Sequence, residues 1–251
     1  MKKQNFLDWN YKILLDSLGK IDFSIILIAV LDALFYLSSI FPYLYWFKSI
    51  NAKQESLRLP ADPSLLPINE LQKLVAEGQT FFYFLVFSSI LVTLIIILLA
   101  SIIKGIIWAK TTRTKITLKL ISKFFILNLA WMGFWFLVIA AIAYFVETYS
   151  VNLFSRIAIF LAIYFTGTLY SLFMKEQKFK SIIDAIKLNI AKIHLFVLPY
   201  ALISLVLYIT IKLTALLTFQ YASFVSSTII LLYLAFVRYY VSELVFGIEK
   251  Q

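Results

Sequence analysis

Cysteine is absent from this 251-residue chain, and histidine occurs once, as His194. Disulfides, thiolate nucleophiles, iron–sulfur clusters and cysteine zinc sites are therefore excluded. A lone histidine cannot build a multi-histidine metal site. Charged residues make up only 14% of the chain, against about 25% in soluble domains. There is no phosphate-cradling glycine loop, no carboxylate pair at ligand spacing and no His–Glu metal motif. A nucleophile needs an activating base, and the apolar stretches offer one Asp and one boundary His, with no Ser or Thr beside either in an obvious constellation. The expectation is a protein that is not an enzyme and carries no cofactor or metal. Glycine (6) and proline (5) are also scarce, which excludes a collagen-like or low-complexity chain.

What is present is apolar bulk. Hydrophobic residues account for 62% of the chain, aromatic residues for 18%, and the mean hydropathy is +0.91. Such a chain needs lipid as its solvent. A helix crossing about 30 Å of hydrocarbon needs about 20 mostly apolar residues, and six stretches qualify: Phe23–Phe47, Thr80–Ile103, Phe124–Val146, Ile157–Met174, Ile193–Ile211 and about Tyr221–Ser242. The runs are continuously apolar, without the alternation of a lipid-facing barrel strand. The fold class expected is all-α, a polytopic bundle of six transmembrane helices with interfacial amphipathic helices, forming one membrane domain over 1–251. The first apolar run follows a mixed-charge segment and exceeds the 7–15 residues of a signal core, so no cleavable signal is expected.

The formal charge of +10 has its usual membrane-protein explanation in basic cytoplasmic loops, and no nucleic-acid partner is expected. Of the 23 Lys and Arg, 17 fall on the side of the bundle that carries both termini and 6 on the other. Both termini should therefore be cytoplasmic, in what is expected to be a prokaryotic cell membrane.

Between the spans lie a cytoplasmic amphipathic segment (1–22), an external loop with a short helix (48–79) and two basic cytoplasmic segments (104–123 and 175–192). In the first, Leu7, Tyr11, Leu14 and Leu18 form an apolar stripe opposite Asn5, Asp8, Lys12 and Asp16, and Gly19 marks a stop. In Lys175–His194, Phe179, Ile182, Ile183, Ile186, Ile190 and Ile193 recur at helical spacing, with Lys180, Asp184 and Lys187 opposite. The centre of 104–123, Thr111-Thr112-Arg113-Thr114-Lys115, reads as loop. Lys180, Lys187, Lys110, Arg113 and Lys115 are the candidate contacts to anionic lipid headgroups; a plain snorkelling linker is the alternative. In the external loop, Pro60, Pro63 and Pro67 dictate turns, Asn69 can cap a short helix, and Gly78 follows its end. That helix is a connector or a lid. Three quartets of apolar–small–Lys–apolar residues, at Leu18–Ile21, Ile121–Phe124 and Ile190–Ile193, suggest a threefold repeat of amphipathic segment plus hairpin.

The runs Phe124-Phe125-Ile126-Leu127-Asn128-Leu129 and Phe179-Lys180-Ser181-Ile182-Ile183-Asp184-Ala185-Ile186 each lead into a hydrophobic hairpin. In this the chain resembles the six-helix membrane domains related to those of glycerophosphodiester phosphodiesterases and their uncharacterised prokaryotic relatives. The phosphodiesterase catalytic domain has no counterpart here. The resemblance implies an accessory membrane domain and carries no activity over.

Inside the membrane, Asp32 is the sharpest feature. A charge at that depth costs at least about 2.5–3.5 kcal/mol, so it must be protonated, hydrated or paired. Arg238, in the cytoplasmic half of the sixth span, is the candidate partner. The pair would either lock the first helix to the last or form an ion or proton site. Pro199 should kink the fifth span, since it removes a backbone donor. Two functions are open: a scaffold, assembly or membrane-organising factor with its partner protein unknown, and a small-solute or ion transporter using Asp32 and Arg238.

Overall fold

The structure, a computed structural model, describes residues 6–57 and 67–250, the side chain of Leu7 excepted. Among them are eight helices and no strand: α1 (Phe6–Gly19), α2 (Ser24–Ser56), α3 (Ile68–Thr111), α4 (Leu118–Phe145), α5 (Thr148–Glu176), α6 (Ser181–Ala191), α7 (Ile193–Thr214) and α8 (Ala222–Glu249). All but α1 and α6 are 22 to 44 residues long, with mean hydropathy of 1.8 to 2.9 over their most apolar windows. At 1.5 Å per residue the shortest still covers about 33 Å, enough for the hydrocarbon layer. The chain is an all-α integral membrane protein with six helices long and apolar enough to span.

The helices outrun the apolar stretches that announce them. The short helix expected after Asn69 is the first part of α3, which runs through Gly78 without a break. An interior glycine costs only about 1 kcal/mol, too little to end a helix supported on both sides. Pro42 likewise lies inside α2 and Pro199 inside α7, and both helices continue through them. Asn5, Pro60 and Pro63 lie outside the described residues. The chain reverses at 112–117, where a loop was expected. Thr117 then caps α4, its hydroxyl accepting the Leu120 N–H at 3.1 Å. No separate helix precedes the third span, so the middle member of the proposed repeat lacks its amphipathic segment. Its quartet, Ile121–Phe124, is interior to α4.

The chain divides into two compact units, 1–33 with 101–251 and 34–100, where the sequence reads as one domain. In the smaller unit, the Trp46 indole N–H donates to the Ser88 hydroxyl at 3.1 Å, and the Lys53 ammonium lies 3.9 Å from the centre of the Phe84 ring. In the larger unit the core gathers toward one end of the helices. It takes in Trp108 from α3, Leu120, Phe124 and Leu127 from α4, Leu169 to Met174 from α5, Phe196 from α7 and Tyr240 to Ile248 from α8. We call this the basal end. Away from it, apolar side chains such as Phe136, Tyr144, Tyr149 and Phe224 are at least 70% exposed, which an acyl-chain environment accommodates.

Of the two short helices, α1 packs by a face other than its expected stripe and α6 by only part of its own. In α1 the buried side chains are Asn10, Ile13 and Ser17, while Tyr11, Leu14 and Leu18 are exposed. The buried face docks on α8, where a Cβ on Gly247 would come within 3.0 Å of Ile13 Cδ1. Lys20, just beyond α1, pairs with Glu243 at 2.5 Å. In α6 the buried row is Ser181, Ala185 and Asn189, set against α5, while Ile183 and Ile190 are exposed. Ile182 and Ile186 are partly buried against the core. Small residues permit close helix approach, and Asn189 adds hydrogen bonds from Thr168 and Tyr164 of α5, so the most deeply buried row of α6 is small and polar while Ile183 and Ile190 stay outside.

Candidate functional site

Asp32, the ninth residue of α2, is fully buried. Its Oδ1 accepts from Lys104 Nζ at 2.5 Å and from Arg238 Nη2 at 2.9 Å, and its Oδ2 accepts from Arg238 Nη1. The guanidinium thus engages the carboxylate as a fork, the strongest geometry for this pairing. The Lys104 and Arg238 side chains are 16% and 13% exposed. Three helices, α2, α3 and α8, are joined at one carboxylate. Sequence reasoning placed Arg238 opposite Asp32 and left Lys104 in a basic segment. The missed signal is depth: Asp32 lies about 12 Å into α2, and Lys104 about 10 Å from the end of α3.

Around this triad the buried polar groups form short chains. The Asn128 amide donates to the Ser101 hydroxyl at 2.9 Å, and the Tyr170 hydroxyl donates to Asn128 Oδ1 at 2.5 Å, so α3, α4 and α5 are stitched together. Thr168 donates to Asn189 Oδ1 at 2.9 Å and Tyr164 to the Asn189 carbonyl at 3.2 Å, tying α6 to α5. The Trp131 indole donates to Thr166 at 2.8 Å. Between Thr166 and Thr168, a Cβ on Gly167 would lie 3.0 Å from Val241 Cγ1 and 3.1 Å from the Tyr200 hydroxyl. Thr166-Gly167-Thr168 thus lies at a close helix approach. Pro199 is buried in α7 and His194 is exposed near its start.

A cavity of ≈510 Å³ opens at the basal end, lined by Asp22, Ser24, Ala109, Lys110, Arg113, Thr114, Lys115, Ile116 and Tyr239. Lys110, Arg113 and Lys115, three of the five cations singled out in the sequence, thus share one space. Lys180 and Lys187 do not line it. Lys180 lies 3.8 Å from Asp184, one turn on, and Lys187 is exposed on α6. Asp22 accepts from the Ser24 backbone N–H at 2.8 Å and from the Ser24 hydroxyl. Hydrogen bonds from Ser24, hydroxyl first, hold its carboxyl below the ordinary value of 3.8, so it is ionised at neutral pH. The cavity then carries three cations against one carboxylate.

Arg113 has φ of 55°, in the left-handed region. Its N–H donates to the Lys110 carbonyl at 3.1 Å and the Thr114 N–H to the Ala109 carbonyl at 2.8 Å. This is the Schellman arrangement that ends a helix, with an arginine at the position glycine usually holds. Among the described residues, no group of three or more His, Cys, Asp or Glu is placed to hold a metal ion. No protein-family model, curated protein or solved structure matches the chain.

Proposed function

We propose that this chain is a non-enzymatic membrane scaffold or assembly factor. On this reading its basic end faces the cytoplasm of a prokaryotic cell, holds both termini and contacts anionic lipid headgroups. The observation that carries it is the closure of Asp32. The one carboxylate deep in a span is fully buried and takes three charge-assisted hydrogen bonds from two cations. A group used to carry an ion or proton needs access to water; this one ties helices together. The asymmetric core supports the same reading, because a packed basal end with apolar side chains exposed beyond it suits a protein that works by being held in place. An accessory membrane domain, as the resemblance to the phosphodiesterase-linked domains implies, is consistent with this.

The transport reading draws on one feature: two cations, from α3 and α8, meet one carboxylate inside the bundle. Proteoliposome flux separates the two readings. Wild-type protein should leave ion and small-solute gradients intact. A flux that Asp32→Asn or Lys104→Gln abolishes overturns the scaffold reading.

A further inference from the structure

The cavity at the basal end has properties that a solvated loop does not need. Arg113 adopts a backbone conformation that disfavours L side chains, at a position where glycine would close the same Schellman motif without strain. Strain of this kind persists where surrounding structure imposes it and often marks a functional position. The arginine also lies between Lys110, on the last turn of α3, and Lys115, in the loop, and all three line one space with the Tyr239 side chain and the Ser24 hydroxyl. The geometry points to a binding site for the phosphate of an anionic phospholipid headgroup, held by Lys110, Arg113 and Lys115.

Placement and flanking residues choose lipid over free phosphate. The cavity lies where α2 begins and α3 ends, the level at which spanning helices leave the hydrocarbon and meet headgroups. Ile116 is part of its lining, and Phe23, between Asp22 and Ser24, and Leu118, two residues beyond Ile116, are 89% and 90% exposed. Large apolar side chains so fully exposed beside three cations suit a surface that meets acyl chains and phosphates together. Asp22 takes hydrogen bonds from Ser24, and one carboxylate against three cations leaves the cavity net positive. An arginine presents a planar fork that matches phosphate oxygens, which gives the strained residue its purpose.

This inference rests on the reading of the basic segments as headgroup contacts and narrows it to one cavity. The test is native mass spectrometry of detergent-purified protein titrated with phosphatidylglycerol or phosphatidylcholine, alongside thermal melts. Removing one cation near a membrane surface should weaken phosphatidylglycerol binding about fivefold. Arg113→Gly should do so while raising the melting temperature, because it relieves the left-handed backbone. Those opposite signs are a result that a merely structural arginine would not produce. Arg113→Asn, whose side chain tolerates the same backbone, serves if the glycine variant fails to fold. Lys110→Gln and Lys115→Gln should behave like Arg113→Gly in binding, and Lys212→Gln, at an exposed lysine in the last turn of α7, should bind as wild type does. Unchanged binding in the three cavity variants overturns the site. A loss from Lys212→Gln equal to that from Arg113→Gly also overturns the cavity assignment. Equal binding of the two lipids by wild-type protein removes both the site and the general headgroup reading. Stabilisation by inorganic phosphate alone that depends on Arg113 assigns the cavity to a soluble anion and overturns the lipid.

Discussion

The triad at Asp32 makes a prediction about the order of three substitutions. In the native protein one carboxylate faces two cations, so each cation can be lost while the carboxylate keeps a partner. Lys104→Gln leaves the bidentate Arg238 contact, and Arg238→Gln leaves the 2.5 Å bond from Lys104. Each single change should cost about 1.5–3 kcal/mol, the range for hydrogen bonds to charged groups. Asp32→Asn is different. It removes the only negative charge of the triad and leaves two cations facing each other from α3 and α8, with side chains only 16% and 13% exposed. Removing one partner from a buried pair costs about 3–5 kcal/mol, and the like-charge contact adds to it. The double variant Lys104→Gln/Arg238→Gln should also be severe, because it strands a fully buried carboxylate. Its cost should therefore exceed the sum of the two single changes. Thermal unfolding in detergent, with folded yield by size-exclusion chromatography, reads all four proteins against wild type. If Asp32→Asn is no worse than Arg238→Gln, or if the double variant is additive, the three groups do not act as one electrostatic unit and the reasoning fails.

Two glycines should respond in opposite directions. Gly133 in α4 has nothing within 4 Å of where a Cβ would sit, so Gly133→Ala should stabilise the protein by up to about 1 kcal/mol through helix propensity. Gly167→Leu should destabilise it by about 1–3 kcal/mol, since its first added carbon already meets Val241 and Tyr200 at 3.0 and 3.1 Å; equal melting temperatures would refute the close approach. At Asp22 the lowered pKa fixes a sign: stability from the Ser24 contact is complete above 3.8 and is lost as pH falls through the lower folded-state value. Wild-type and Ser24→Ala melting temperatures should therefore differ at neutral pH and converge in acid, which a pH series of melts would show.

The six spans were legible because hydrophobic length is a local property: Ile193 to Val237 is too long for one crossing and right for two, and α7 and α8 occupy it. The loop at 112–117 was legible from its threonines and charges. The candidate site was legible in part. Asp32 was conspicuous as a carboxylate in an apolar run, and Arg238 as a cation at reachable depth. Lys104 was hidden because a lysine at a helix boundary reads as a topology signal, and only the antiparallel register of α2 and α3 turns it into a partner. The cavity was hidden for a similar reason: Ser24, Arg113 and Tyr239 come from three distant parts of the chain.

The lengths of its apolar runs alone determined that this protein is helical and embedded in lipid, because the transfer of apolar groups between water and hydrocarbon depends on the residues themselves. Which face of each helix packs inward was decided only in three dimensions. Acyl chains are as apolar as leucine, so burying a leucine against a neighbouring helix gains little over leaving it in lipid. Ser181, Ala185 and Asn189 of α6, and Asn10, Ile13 and Ser17 of α1, lie inside, where small side chains let backbones approach and Asn189 accepts from Thr168 of α5. Leu14 and Leu18 of α1, and Ile183 and Ile190 of α6, face outward instead.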